Sequence, residues 1–136
     1  PQQRSSAASD VYKRQDVLLH SIADSILGAA GLGDIGMFFS DQDIQNKNLD
    51  STLIIEHCLN ELNKKDLEIY NIDTTIICEN PKINPHREKI LENLSAILKV
   101  PMNKIGLKAT TSEKIGIIGN NEAISVQSIV NLKELS

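Results

Sequence analysis

The feature that most constrains this chain is a change of hydrophobic period near residue 66. The stretch DSTLIIEHCLNELNKK, residues 50–65, carries apolar side chains at Leu53, Ile54, Cys58, Leu59 and Leu62. That spacing of three and four lays one face of a helix against a core. Asp50-Ser51 precede it with side chains suited to capping a helix N-terminus. The following LEIYNIDTTIICEN is rich in Ile and Thr and predicts a strand over 67–78. The same exchange recurs downstream. PKINPH, broken by two prolines, predicts a loop. REKILENLSAILKV is an amphipathic helix closed by Pro101, NKIGLKATT a second strand, SEKIGIIGNNE a turn with a short helical piece, and AISVQSIVNLKEL a last strand. Upstream, Leu18, Leu19, Ile22, Ala23, Ile26, Leu27 and Ala30 predict a helix over 16–30, with Gly28, Gly31 and Gly33 marking its end and the turn beyond. Helices interleaved with a few long strands predict a single α+β domain: a mixed sheet with helices packed on one face.

With 136 residues the chain can bury a sizeable core, but only 3% of them are aromatic and none is Trp, so Ile, Leu, Val and Ala must build it. No apolar run approaches the roughly 18 residues of a membrane span. A formal net charge of -4 disfavours nucleic acid as a partner. Cys58 and Cys78 lack CxxC spacing and read as reduced, buried thiols of a cytoplasmic protein. Residues 1–15, PQQRSSAASDVYKRQ, have no initiator Met and no apolar period. They read as a foreign leader, an engineering or sequence-assembly scar, and are expected to be irregular or disordered. The domain proper is then 16–136.

Four stretches carry candidate chemistry. Asp16, His20 and Asp24 fall four residues apart and share one stripe of the first helix. A neutral imidazole suits Zn²⁺, so His20 is either a metal ligand or a histidine bonded to a neighbouring carboxylate. His57 lies on another helix in an unremarkable context. GLGDIG follows a helix rather than a strand, so it reads as a turn and not as a dinucleotide fingerprint. Its glycines supply positive φ, and Asp34 can bond its own backbone. NPKINPH places Lys82 and main-chain donors between prolines, where a flat base can be held; alone it is also a plain connection. In KATTSEK, three hydroxyls stand beside Glu113, a set that suits phosphate oxygens and Mg²⁺ bound to them, or equally a helix cap.

Together, DVLLHSIADSILGAAGLGDIG, the FSDQD at 39–43, TTIICENPKINPH, and KATTSEKIG with GNNE resemble the 2-C-methyl-D-erythritol 2,4-cyclodiphosphate synthases in order and spacing, over about residues 16–133. The resemblance implies an enzyme of the non-mevalonate isoprenoid route, bacterial and cytoplasmic or, in a plant or alga, plastid. It cyclises 4-diphosphocytidyl-2-C-methyl-D-erythritol 2-phosphate and releases CMP. His20 would ligate zinc. Glu113 would hold Mg²⁺ or Mn²⁺. Asp34, Ile35 and Gly36 would line the methylerythritol pocket, with Phe39, Ser40, Asp41, Gln42 and Asp43 nearby. Cys78, Glu79, Asn80, Pro81, Lys82, Ile83 and Asn84 would hold the cytidine. Thr110, Thr111 and Ser112 would bind the diphosphate, with Thr111 stabilising the transition state. Ile117 and Asn120 would stand at phosphate-side positions usually filled by Phe and Arg, and the second exchange removes one phosphate contact. The family assembles as a homotrimer with active sites between subunits.

Members of the family open with a strand bearing Asp-x-His, which supplies two more zinc ligands, and have a His-Ser pair just before the position of Asp16. Neither is found in these 136 residues, where Asp10 is followed by Val11-Tyr12. The expectation is a domain lacking its first strands, with zinc weakly held and activity impaired. Two other readings compete: a non-catalytic cytidine-nucleotide-binding or oligomerisation module, and a metal-dependent phosphohydrolase.

Overall fold

The computed structural model describes residues 6–40, 50–78, 84–111, 115–119 and 124–135. Its elements are α1 (Ser6–Ala29), α2 (Ser51–Lys64), β1 (Leu67–Ile77), α3 (Arg87–Leu98), β2 (Ile105–Thr110), a short α4 (Gly116–Gly119) and β3 (Ser125–Glu134). Single 3₁₀ turns stand at Ile35–Met37, Asn84–His86 and Met102–Lys104. The strands form one sheet in the order β2-β1-β3. β2 runs parallel to β1, joined by α3 as the crossover that a parallel pair needs, and β3 runs antiparallel on the other side. α1 packs on β3 and β1, α2 on α1 and β1, and α3 on α2 and β2. This is the predicted mixed sheet with helices on one face.

The strands alternate as a half-covered sheet should. Ile72, Thr74 and Ile76 of β1, Ile105 and Leu107 of β2 and Val130 of β3 are buried under the helices. Tyr70 and Ile129 are exposed large side chains on these strands. The register of β1 against β3 shifts between Ile69 and Asn71. The irregularity changes the phase of alternation, so Ile69 and Ile72 both reach the core side.

The first helix differs from expectation at its start. Irregular backbone is predicted over 1–15, yet α1 begins at Ser6. Residues 6–15 contain no Gly or Pro and include the helix formers Ala7, Ala8, Lys13, Arg14 and Gln15. Extending a helix already held by its apolar stripe costs far less than nucleating a new one, so the period is not needed upstream. Gln15 is tied in directly, its Oε1 accepting from Asn93 Nδ2 of α3 at 3.0 Å. At the other end Gly28 remains helical, while Gly31 takes φ +73°. Leu32 N–H then donates to Leu27 C=O (2.8 Å) and Gly31 N–H to Gly28 C=O (3.0 Å), which satisfies the last carbonyls and seats Leu32 on the buried Leu27. The predicted cap of α2 is present: Asp50 Oδ1 accepts from Thr52 N–H at 2.9 Å.

A chain of hydroxyls fastens α1 to the sheet. Ser21 Oγ donates to Ser128 Oγ (2.9 Å), Ser25 Oγ to Ser128 C=O (2.9 Å), and Thr74 Oγ1 lies 2.9 Å from Ser128 Oγ. Thr74 is fully buried, so these bonds replace water that cannot reach it. Ser128→Ala removes the shared oxygen and leaves two hydroxyls short of a partner. Urea unfolding is expected to show a loss of about 1–2 kcal/mol. Unchanged stability would mean the chain of hydroxyls contributes nothing net.

Candidate active site

The two parallel strands end side by side. Ile77 is in register with Thr110, and Cys78 N–H donates to Thr110 C=O at 3.0 Å. β3 begins at the same level, Ser125 opposite Ile77. Three connections therefore meet at this end of the sheet: the one leaving Cys78, the one leaving Thr111, and the one entering Ser125. The carboxyl ends of parallel strands are a common place for ligands in open sheets. Two of the predicted segments, the cytidine loop and the Thr-Thr-Ser-Glu turn, start here. Thr110 and Thr111 are exposed, with Thr110 Oγ1 at 3.5 Å from Thr111 C=O. Cys78 starts its loop with a buried thiol and an amide already used by β2. Ile117 is exposed on α4. Asn84 begins a 3₁₀ turn. Asp41, Gln42, Asp43, Glu79, Asn80, Pro81, Lys82, Ile83, Ser112, Glu113 and Asn120 lie outside the described residues.

The stripe on α1 divides into distinct jobs. Asp16 Oδ1 accepts from the hydroxyl of Ser51, the first residue of α2. His20 is half-buried, its Nε2 3.9 Å from the other oxygen of Asp16. Asp24 Oδ1 accepts from Ile35 N–H at 2.8 Å. Among the described residues no three His, Cys, Asp or Glu side chains gather in a way that could hold a metal ion. A catalytic zinc takes three protein ligands, so His20 offers one donor and does not hold the ion by itself.

In the turn beyond α1, Asp34 caps the 3₁₀ turn, its Oδ1 accepting from Met37 N–H at 3.2 Å. Gly33 sits at φ +94°, and a Cβ there would lie 2.3 Å from Met37 Sδ, so this position requires glycine. Ile35 does not face a pocket with its side chain, which is buried in the core; its backbone and Gly36 form the surface of the turn. Ser40 is exposed. His57 proves more than a bystander: Phe38 and Phe39 stack around it with ring centroids at 4.6 and 5.3 Å. Its Nε2 is buried with no hydrogen-bond partner among the described residues. Sequence reasoning passed over this residue because its aromatic partners lie on a separate turn of chain.

Two clefts occur away from these residues, one of ≈ 450 Å³ between the C-terminal ends of α2 and α3, one of ≈ 510 Å³ beside Tyr70 and Gly106. Neither contains a predicted site residue. Both cysteines are buried thiols outside any disulfide, as expected. Burial, reinforced by the nearby carboxylates of Asp24 and Glu61, pushes the Cys58 thiol from its ordinary 9.0 up to about 12. The folded chain therefore keeps this proton longer than the unfolded one. The associated stability is complete below pH 9 and is lost as pH rises through about 12. At pH 8 a thiol reagent is expected to leave Cys58 unmodified in the native chain and to modify it after denaturation; rapid native reaction would contradict the burial.

No helix among the described residues is long and apolar enough to cross a membrane. The YgbB family model matches residues 2–133. The chain is 46% identical over 118 residues to the bifunctional enzyme IspD/IspF of Aliarcobacter butzleri, covering 87% of this chain and 32% of that protein. It is 44% identical over 121 residues to 2-C-methyl-D-erythritol 2,4-cyclodiphosphate synthase of Leptospira interrogans, covering 89% and 75%. The fold superposes on the structure of IspF from Plasmodium falciparum in its CDP complex with a TM-score of 0.78 and 34% identity, covering 87% of this chain and 70% of that one. The chain thus spans about a third of the bifunctional relative and three quarters of the single-function one. Metal dependence is general among enzymes of this kind. Fold, motif order and relatives agree with the resemblance drawn from the sequence, and the chain belongs to the YgbB family, that of the 2-C-methyl-D-erythritol 2,4-cyclodiphosphate synthases.

Proposed function

We propose that this domain cyclises 4-diphosphocytidyl-2-C-methyl-D-erythritol 2-phosphate. An oxygen of the 2-phosphate bonds to the β-phosphorus. The bond from that phosphorus to the bridging oxygen breaks, and the oxygen leaves with its electron pair as part of CMP. The observation that carries the reading is the register at the sheet end. Ile77 beside Thr110 starts the cytidine loop and the Thr-Thr-Ser-Glu turn from adjacent strand ends, which supports one CDP moiety being shared by both.

Phosphoryl transfer needs positioning and charge neutralisation more than covalent help. In this reading, residues Cys78 to Asn84 hold the base. Thr110, Thr111 and Ser112 hold the diphosphate, with Thr111 donating where charge builds on the β-phosphoryl group. The turn from Asp34 to Gly36, with Phe39 to Asp43, holds the methylerythritol. Glu113 is the magnesium or manganese ligand and His20 one zinc ligand. Divalent cations, when bound, would offset the repulsion between a phosphorylated nucleotide and a chain of net charge -4. The described residues lack a complete zinc set, and no step is assigned to that ion. The open sheet face, with Ile129 65% exposed, supports a homotrimer in which that face is covered and sites form between subunits. Residues 16–136, which carry all the candidate site residues, act as the catalytic domain.

The test is calorimetry with CDP followed by an assay of CMP release in Zn²⁺ and Mg²⁺. CDP binding with CMP release supports the reading. Binding without turnover, even with an Asp-x-His strand and a His-Ser segment added, would leave a nucleotide-binding module. Release of inorganic phosphate in place of CMP would make it a phosphohydrolase.

A further inference from the structure

Two carboxylates flank His20 on α1, and they reach in different directions. Asp16 turns to Ser51 at the start of α2. Asp24 accepts the amide hydrogen of Ile35, eleven residues further along, at 2.8 Å. Ile35 opens a 3₁₀ turn, where an amide has no helical carbonyl to serve and a carboxylate is the strongest neutral-pH substitute. The turn's own bonds are internal, from Met37 N–H to Asp34 and from the Phe38 and Phe39 amides to Ile35 C=O, and Phe38 and Phe39 beyond it pack on His57. Gly33 and Gly36 flank Asp34 and Ile35, Gly33 is at positive φ, and Gly36 and Met37 are exposed. Glycines on both sides leave such a segment free to rotate unless it is held. Among the described residues, Ile35 itself is tied to the rest of the fold at two points: its side chain in the core and its amide on Asp24. Asp24 is itself exposed, so packing does not account for a carboxylate there.

We infer that Asp24 is a positioning residue, fixing the Asp34–Gly36 turn to the helix one turn beyond His20. The metal-binding arm and the sugar-binding turn then keep one spacing. The inference rests on the function proposed above, in which that turn holds the methylerythritol part of the substrate. It predicts a selective defect. Asp24→Ala frees the turn but leaves the strand end that takes the nucleotide untouched.

The experiment is titration calorimetry of the 136-residue chain with CDP and, separately, with the full substrate, both in Mg²⁺ and Zn²⁺. Asp24→Ala is expected to weaken the substrate about tenfold and CDP less than about twofold. Asp24→Asn, whose side-chain oxygen still accepts from Ile35, should recover most of the loss. Amide exchange at Ile35 should quicken in Asp24→Ala and not in Asp24→Asn. Equal weakening of both ligands would make Asp24 a general structural residue and overturn the inference. So would an unchanged substrate affinity, or a wild-type chain that binds substrate no better than CDP. A wild-type chain that binds neither ligand would instead sink the proposed function, while the Ile35 exchange result would still report on the anchor.

Discussion

Placing an Asp-x-His strand and a His-Ser segment ahead of residue 16 is expected to raise CMP release by about a thousandfold over the 136-residue chain, at equal Zn²⁺ and Mg²⁺. The reason is ligand count. His20 is half-buried, and among the described residues the one ion-pair partner of its Nε2 is Asp16, at a weak 3.9 Å, which leaves the nitrogen able to ligate. One imidazole alone exchanges its metal readily, whereas three protein ligands make a stable catalytic site. A thousandfold corresponds to about 4 kcal/mol of barrier, within what a bound cation supplies to a developing phosphoryl charge. His20→Ala in the extended chain should cancel the gain while CDP affinity stays within about threefold, because the proposed function assigns the base and diphosphate to the strand-end residues and not to α1. An extended chain no faster than the original, or full activity in the original, would refute the ligand-count reasoning.

Ile76→Ala is expected to cost about 2–5 kcal/mol of folding free energy. Ile76 is fully buried on the central strand, beneath the helix layer. Few aromatic side chains are available to slide into the space, since only 3% of the residues are aromatic. At roughly 3–5 °C per kcal/mol for a domain of this size, the thermal midpoint should fall by about 6–25 °C. Leu53→Ala is the control. Leu53 is half-exposed on α2, and its loss should cost under about 0.5 kcal/mol. If both variants melt together, the core is not where the burial pattern places it.

The elements whose signals are local were legible in the chain. Asp50 caps α2, Gly31 and Gly33 take left-handed φ, and the Ile/Thr-rich run is the central strand. Each of these depends on neighbours within a few residues. What escaped depends on distance along the chain. The upstream half of α1 persists because the downstream half is packed, which no local period reports. The slip at Ile69/Asn71 answers to β3, about sixty residues away. His57 gains meaning only when Phe38 and Phe39 fold onto it. The site shows the same division. Its residue types and their order led to the family, but the two roles of Asp16 and Asp24 needed the fold, because their partners are Ser51 and Ile35.

The hydroxyls between α1 and the sheet have one more effect. Apolar side chains let a helix glide along its neighbour with little penalty, since any greasy surface will do. Ser21 and Ser25 do not allow this, because both address a single residue, Ser128, with directional bonds. Sliding α1 by one turn, about 5.4 Å, would carry one serine into the other's place and leave one of the two bonds unmade. The helix is thereby indexed like a key on its pins, and His20, next in sequence to Ser21, inherits a single permitted height above the sheet.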